Sequence, residues 1–134
     1  MSKESISTSI PIIIVIVLVT CIFINHSIKK KAFYNAVDET LIRNLMVGAS
    51  TEGDFGTVIC TKENIKNVSI TSKSVHLGVF TKRVLVDFDI TIETNGKVVN
   101  TTGFLDLVYD KEKKSKWRVS FRMIRNKDVT IYGN

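Results

Sequence analysis

Residues 5 to 28 contain no Asp, Glu, Lys or Arg. Within them Ile10, Ile12, Ile13, Ile14, Val15, Ile16, Val17, Leu18, Val19, Ile22, Phe23 and Ile24 form an almost unbroken hydrocarbon run. A helix that is apolar on every side needs either a large protein core or a bilayer around it. A chain of 134 residues can hardly supply the first. The second fits by length: roughly 20 helical residues cross ~30 Å of hydrocarbon, and this stretch has 24, between Glu4 and Lys29-Lys30-Lys31. Pro11 is expected near the helix start, where a missing N–H does no harm. A cleaved leader would show a basic start and an Ala-x-Ala site; here Lys3 is the one cation before the run and no such site follows. Leu18-Val19-Thr20-Cys21 approaches a lipidation signal, but Thr20 fits it poorly and Ile22-Phe23-Ile24 carry the apolar run onward. The expectation is an uncleaved single-pass anchor in residues 1–28, followed by one small domain in residues 29–134.

Composition bounds the domain. Residues 32–134 hold 15 Lys and Arg against 12 Asp and Glu, a net +3, too mild a charge to call for nucleic acid. Cys60 is its one cysteine, so an internal disulfide is excluded and cysteine usage does not fix the compartment. About a hundred residues suffice for one modest core.

Past the lysines the pattern turns helical. Phe33, Val37, Leu41 and Leu45 recur every fourth residue, which predicts an amphipathic helix over about 29–47 that continues the membrane helix and ends at Gly48. Residues 48–56 read as a loop, and Thr57–Cys60 as a short strand. Ile65–Leu77 reads as a longer strand with a bulge, because Val68 and Ile70 keep one phase and Val75 and Leu77 the other. Val84, Val86, Phe88, Ile90 and Ile92 then alternate with more polar residues up to Asn95-Gly96, the pair that tolerates positive φ at both central positions of a tight hairpin. That turn predicts a register: Thr94 opposite Lys97, Ile92 opposite Val99, Asp89 opposite Thr102, Val86 opposite Leu105, Leu85 opposite Asp106 and Val84 opposite Leu107. A closing strand should send Trp117, Val119, Phe121 and Met123 to the core and Arg118, Ser120 and Arg122 to solvent. The expected fold class is α+β: the N-terminal transmembrane helix runs into an amphipathic helix packed on a curved antiparallel sheet of about four strands.

The helix, the Gly53-Asp54-Phe55 loop, the long hairpin with Asn95-Gly96 at its tip and the closing Lys116-Trp117-Arg118-Val119 together resemble the cystatin-like or nuclear-transport-factor-2-like superfold over residues 32–124. Small membrane-anchored bacterial members of it include assembly subunits of conjugation and type IV secretion machines. The layout is also similar to pilins and pseudopilins, although the leader's basic Gly-Phe junction and the Glu early in the hydrophobic helix are missing here. The first resemblance implies a domain outside the cytoplasm. The lysines after the span, counted by the positive-inside rule, point the other way.

Catalytic chemistry finds little purchase. His26 and His76 are the two histidines; neither has metal-ligand spacing around it, so no metal, cofactor or catalytic residue is assigned. His76 reads as a surface residue and Cys60 as a small buried hydrophobe. Asp87, Asp89 and Asp106 share a predicted solvent face with Arg118 and Arg122, which suggests a cross-strand charge ladder. The candidate contact surface is the basic run Lys111, Lys113, Lys114, Lys116, Arg118, Arg122, Arg125 and Lys127, interrupted by one acid, Glu112. Trp117 and Phe121 are expected to point inward and so cannot stack bases, which argues against nucleic acid. The expected partners are the lipid bilayer and other membrane-complex proteins, with self-association open. The expected role is a non-enzymatic binding or assembly module of a bacterial envelope complex. A pilin-like structural subunit and a pocketed lipid or small-molecule binder are the alternatives.

Overall fold

The computed structural model describes residues 3–53, 56–124 and 130–132. Two compact units divide the chain, Met1–Ala32 and Phe33–Asn134. Helix α1 covers Lys3–Ala36, and its segment Ser9–Ala36 is long and apolar enough to cross a membrane. Because α1 begins at Lys3, Pro11 lies inside the helix and cannot donate to the carbonyl of Ser7. Thr20 returns its hydroxyl to the carbonyl of Ile16 at 2.8 Å, which satisfies a polar group that hydrocarbon could not.

The expected single helix over 29–47 is broken. After α1 ends at Ala36, Asp38 takes an extended backbone and its carboxylate accepts from the amide of Leu41, so a new helix, α2, starts at Glu39 and runs to Met46. The break shifts the buried stripe. Val37, Ile42 and Met46 are fully buried, whereas Phe33, Leu41 and Leu45 pack at the margin of the core. Gly48 has φ 90°, a conformation open to a residue without Cβ, and the chain turns there into a small hairpin.

That hairpin corrects the loop expected over 48–56. β1 (Ser50–Gly53) pairs with β2 (Gly56–Ile59), and Thr51 opposite Val58 is buried with it. Asp54-Phe55, the centre of the motif that carried the superfold resemblance, lies outside the described residues. The main sheet is antiparallel with order β3 (Ile65–Leu77), β4 (Lys82–Thr94), β5 (Lys97–Tyr109) and β6 (Trp117–Ile124), and β7 (Thr130–Tyr132) pairs with the start of β5. The α+β layout is as expected.

The β4–β5 register holds at every predicted pair, from Thr94 opposite Lys97 to Val84 opposite Leu107. Asn95 and Gly96 have φ 52° and 73°, as a primed two-residue turn requires. β3 shifts register between Ile70 and Ser72, the expected bulge, and again near Ile65. The β5–β6 pairing breaks one expectation. A shift between Asp106 and Leu107 leaves Ser120 without a partner, so Val119 faces Leu107 but Phe121 faces Asp106 and Arg122 faces Leu105. Each residue after Ser120 therefore changes sides. Trp117 and Ile124 are buried; Phe121 and Met123, expected inside, stay 52% and 38% exposed, and Phe121 lies 6.2 Å from Phe104 on the outer face.

Gly103 is the residue on which the sheet's inner face closes. It stands opposite Phe88, and a Cβ built there would come within 2.4 Å of the Phe88 ring. The ring of a fully buried residue thus occupies the place of a side chain. Gly103→Ala should lower the urea unfolding midpoint by an amount worth ~1–3 kcal/mol, as overpacking of a filled core does. Combining it with Phe88→Leu should recover part of that loss, read by circular dichroism in detergent.

Candidate contact surface

One end of the main sheet gathers the connections between β3 and β4 (78–81) and between β5 and β6 (110–116), because Leu77 pairs with Lys82 and Tyr109 with Trp117. Phe33, from the last turns of α1, reaches this end. Its ring makes edge contacts with Tyr109 at 5.0 Å and Trp117 at 5.8 Å, and the two latter rings meet at 5.6 Å. The Lys82 ammonium lies 5.7 Å from the Phe33 ring and 5.9 Å from that of Tyr109, within range of a cation–π attraction.

Lys111, Lys113, Lys114 and Lys116 all sit exposed in the β5–β6 loop. The loop is internally tied: Asp110 N–H donates to Lys116 O at 2.9 Å, Lys113 N–H to Asp110 O, Lys116 N–H to Lys113 O, and Glu112 N–H to the Asp110 carboxylate. Lys116 has φ 67° and donates its ammonium to Lys111 O at 3.1 Å. The rest of the expected basic face is dispersed. Arg118 is exposed on β6 opposite Val108. Arg122, on the opposite side past the bulge, donates to the carbonyl of Leu45 at 3.2 Å. Arg125 and Lys127 lie outside the described residues.

The charge ladder is likewise replaced. Asp106 pairs with Arg83 of the neighbouring strand at 3.1 Å, and Arg122 lies on the other face past the bulge. Asp87 and Asp89 are exposed, with Ser72 and Ser69 as cross-strand partners. His76 is exposed on β3 and shares a 2.9 Å hydrogen bond with Ser74. No three His, Cys, Asp or Glu side chains converge among the described residues.

Three cations hold the helices to the sheet: Lys73 and Arg43, which the sequence did not mark, and Arg122, which it placed on the solvent face. Lys73, on the inner side of β3, donates to the carbonyls of Tyr34 at 2.7 Å and Val37 at 3.0 Å, and its ammonium lies 3.9 Å from the centre of the Tyr34 ring. These carbonyls end α1, where the helix leaves acceptors unpaired and carries partial negative charge. Burial lowers the Lys73 pKa, and the nearby Asp38 opposes that shift. Arg122 serves the C-terminal turn of α2 in the same way, and Arg43 of α2 donates to Ile65 O. Beside Arg43 a polar cleft of about 200 Å³ is lined by Glu39, Thr40, Lys66, Asn67 and Val68, below the ~300 Å³ at which ligand pockets begin.

Cys60 is fully buried in the core, as expected of it. Burial pushes its thiol up to about 11, against a smaller opposing effect of the Arg122 charge. Ile10, Ile12, Ile13, Ile14, Val15, Ile16, Val17, Leu18, Val19, Ile22, Phe23 and Ile24 are all exposed along α1. The sequence reading also passed over Val79 and Phe80, which lie at the β3–β4 turn with 93% and 97% exposure. Two apolar residues between a glycine and Thr81-Lys82 were the available signal.

Compared with known protein families, curated proteins and solved structures, the chain matches none of them.

Two outcomes follow from this geometry. Lys73→Met should cost about 1.5–3 kcal/mol, the range for hydrogen bonds involving a charged group, in the same urea titration, while Lys82→Met should cost clearly less. The Cys60 thiol keeps its proton in the folded state beyond the ordinary range near 9. Its contribution to stability is therefore complete below pH 9 and is lost as pH rises toward 11. Cys60→Ala should flatten that part of the stability–pH profile.

Proposed function

We propose that the chain is a single-pass, membrane-anchored, non-enzymatic assembly module, an accessory subunit of a bacterial envelope complex whose domain works outside the cytoplasm. One observation supports the anchoring above all others. The core of the second unit is filled by side chains from Phe33 onward, and the apolar side chains of residues 10–24 are left exposed. Leaving a dozen Ile, Val, Leu and Phe side chains in water forgoes on the order of 20 kcal/mol of transfer free energy. A bilayer recovers it.

Contact as the mode of action has support from the sheet's two sides. The inner side is occupied by α2 and the core. The outer side carries a mixed surface of Phe104, Phe121, Met123, Arg118 and the Arg83–Asp106 pair, the blend of aromatic, Met and Arg that protein interfaces favour. A helix laid on an antiparallel sheet is also the arrangement on which the superfold resemblance rests, and fold alone leaves function open.

Alkaline carbonate should leave the full chain in the membrane pellet and detergent should release it. Sidedness is read by Ser115→Cys in a Cys21→Ala, Cys60→Ala background. An impermeant maleimide should label intact cells. Labelling only after lysis would put the domain in the cytoplasm, and release by carbonate would remove the anchor itself.

A further inference from the structure

The β3–β4 turn presents two adjacent, almost fully exposed apolar side chains. Gly78 N–H donates to Thr81 O at 2.8 Å, which closes the turn and leaves Val79 and Phe80 at its tip, 93% and 97% exposed. Single exposed apolar residues are ordinary; a contiguous pair at a projecting tip marks a contact. Its surroundings indicate the kind. Lys113 and Lys114 are exposed in the neighbouring loop at the same sheet end, and Lys82 stands two residues past Phe80. Phe33 docks at that end too. In the sequence Phe33 follows Ile28, the last apolar residue of the uncharged stretch, by five residues, which span at most roughly 18 Å even when fully extended. Covalent connection thus keeps this end of the sheet within reach of whatever surface the apolar helix leaves.

We propose that the Val79–Phe80 turn enters the interfacial layer of the bilayer that the apolar helix spans, with the neighbouring lysines on anionic headgroups. An apolar wedge rimmed by cations suits that layer, where the ring reaches the acyl boundary and the ammonium groups stay among phosphates. The domain then holds the membrane at two points, one spanning and one superficial. This inference rests on the anchoring proposed above, and its test separates the two.

The full chain is reconstituted in nanodiscs of phosphatidylcholine and phosphatidylglycerol with brominated acyl chains. Trp117 is the one tryptophan, so Trp117→Phe supplies a silent background for either Phe80→Trp or Ile16→Trp. Both tryptophans should emit to the blue and lose intensity about twofold, given an insertion depth of ~5–10 Å for the tip. Replacing phosphatidylglycerol by phosphatidylcholine should weaken the Phe80→Trp quenching and leave that of Ile16→Trp unchanged. Quenching at Ile16→Trp with a water-like, unquenched Phe80→Trp overturns the tip contact and keeps the anchor; absence of quenching at both overturns the anchor as well. Quenching of Phe80→Trp that ignores lipid charge overturns the headgroup contact. Shielding of Phe80→Trp in native membranes but not in nanodiscs assigns the tip to a protein partner and overturns the proposal. Should Trp117→Phe unfold the domain, a spin label on Phe80→Cys in the Cys21→Ala, Cys60→Ala background reads the same depth through its accessibility to oxygen against a water-soluble nickel complex.

Discussion

The Asn95–Gly96 turn sets the phase of nearly every inward side chain in the domain. Its two positive φ angles fix a two-residue connection, and a two-residue connection fixes the pairing from Thr94–Lys97 down to Arg83–Val108. A slip by one residue would turn Val84, Val86, Ile90 and Ile92 outward together. Phe88 reinforces the same register from the middle of the sheet. Its ring lies where the side chain opposite would be, and in the native register that residue is Gly103. One step either way would set Phe88 against Thr102 or Phe104, with no room for the ring. Turn geometry and a size match therefore select one pairing independently, and β3 and β6 add to a template already defined.

Helix attachment depends on that template. An eight-residue helix such as α2 is not stable alone in water, and α1 ends beside it with carbonyls that water or a cation must satisfy. Lys73 from β3 and Arg122 from β6 supply cations to the ends of α1 and α2, and Arg43 returns one from α2 to the start of β3. The apolar side chains of Val37, Ile42 and Met46 provide the burial; the cations fix where along the sheet that burial takes place. Arg122 can do this because the β-bulge at Ser120 turned it inward. The irregularity that spoils an alternating strand thus supplies the inner face with the charge that α2 requires.

What was legible in the sequence follows the range of the interactions involved. The β4–β5 hairpin was readable residue by residue, since its turn and its alternation are local and agree. The apolar helix was readable from composition. The break at Asp38 was visible in principle as an N-cap residue before Glu39, but the four-residue spacing of Phe33, Val37, Leu41 and Leu45 carried the stronger pattern and concealed it. The closing strand misled for a different reason: Trp117, Val119, Phe121 and Met123 alternate cleanly, and no glycine or proline flags the bulge that reverses their second half. The candidate basic face failed with it, because Arg118 and Arg122 share a side only in the unbulged strand. Lys73 looked like any strand lysine, since its acceptors lie more than thirty residues away.

The two ends of the main sheet differ in kind. At one, Asn95-Gly96 forms the hairpin turn, and Asn64 accepts from Thr61, donates to Ile59 and receives the amide of Glu93. Those bonds tie the loop before β3 to the end of β4 within the protein. At the other, aromatic rings from Phe33, Tyr109 and Trp117 close the core, the loop beyond them carries four lysines, and the adjoining turn shows water two apolar side chains. A turn under no demand but solubility would carry Asn, Asp or Gly at those positions, since each lowers the cost of turning and keeps water. Val79 and Phe80 do neither. The chain bears that cost at the sheet end where Phe33 docks, and the proposed contact, which receives hydrocarbon and positive charge together, would account for the choice.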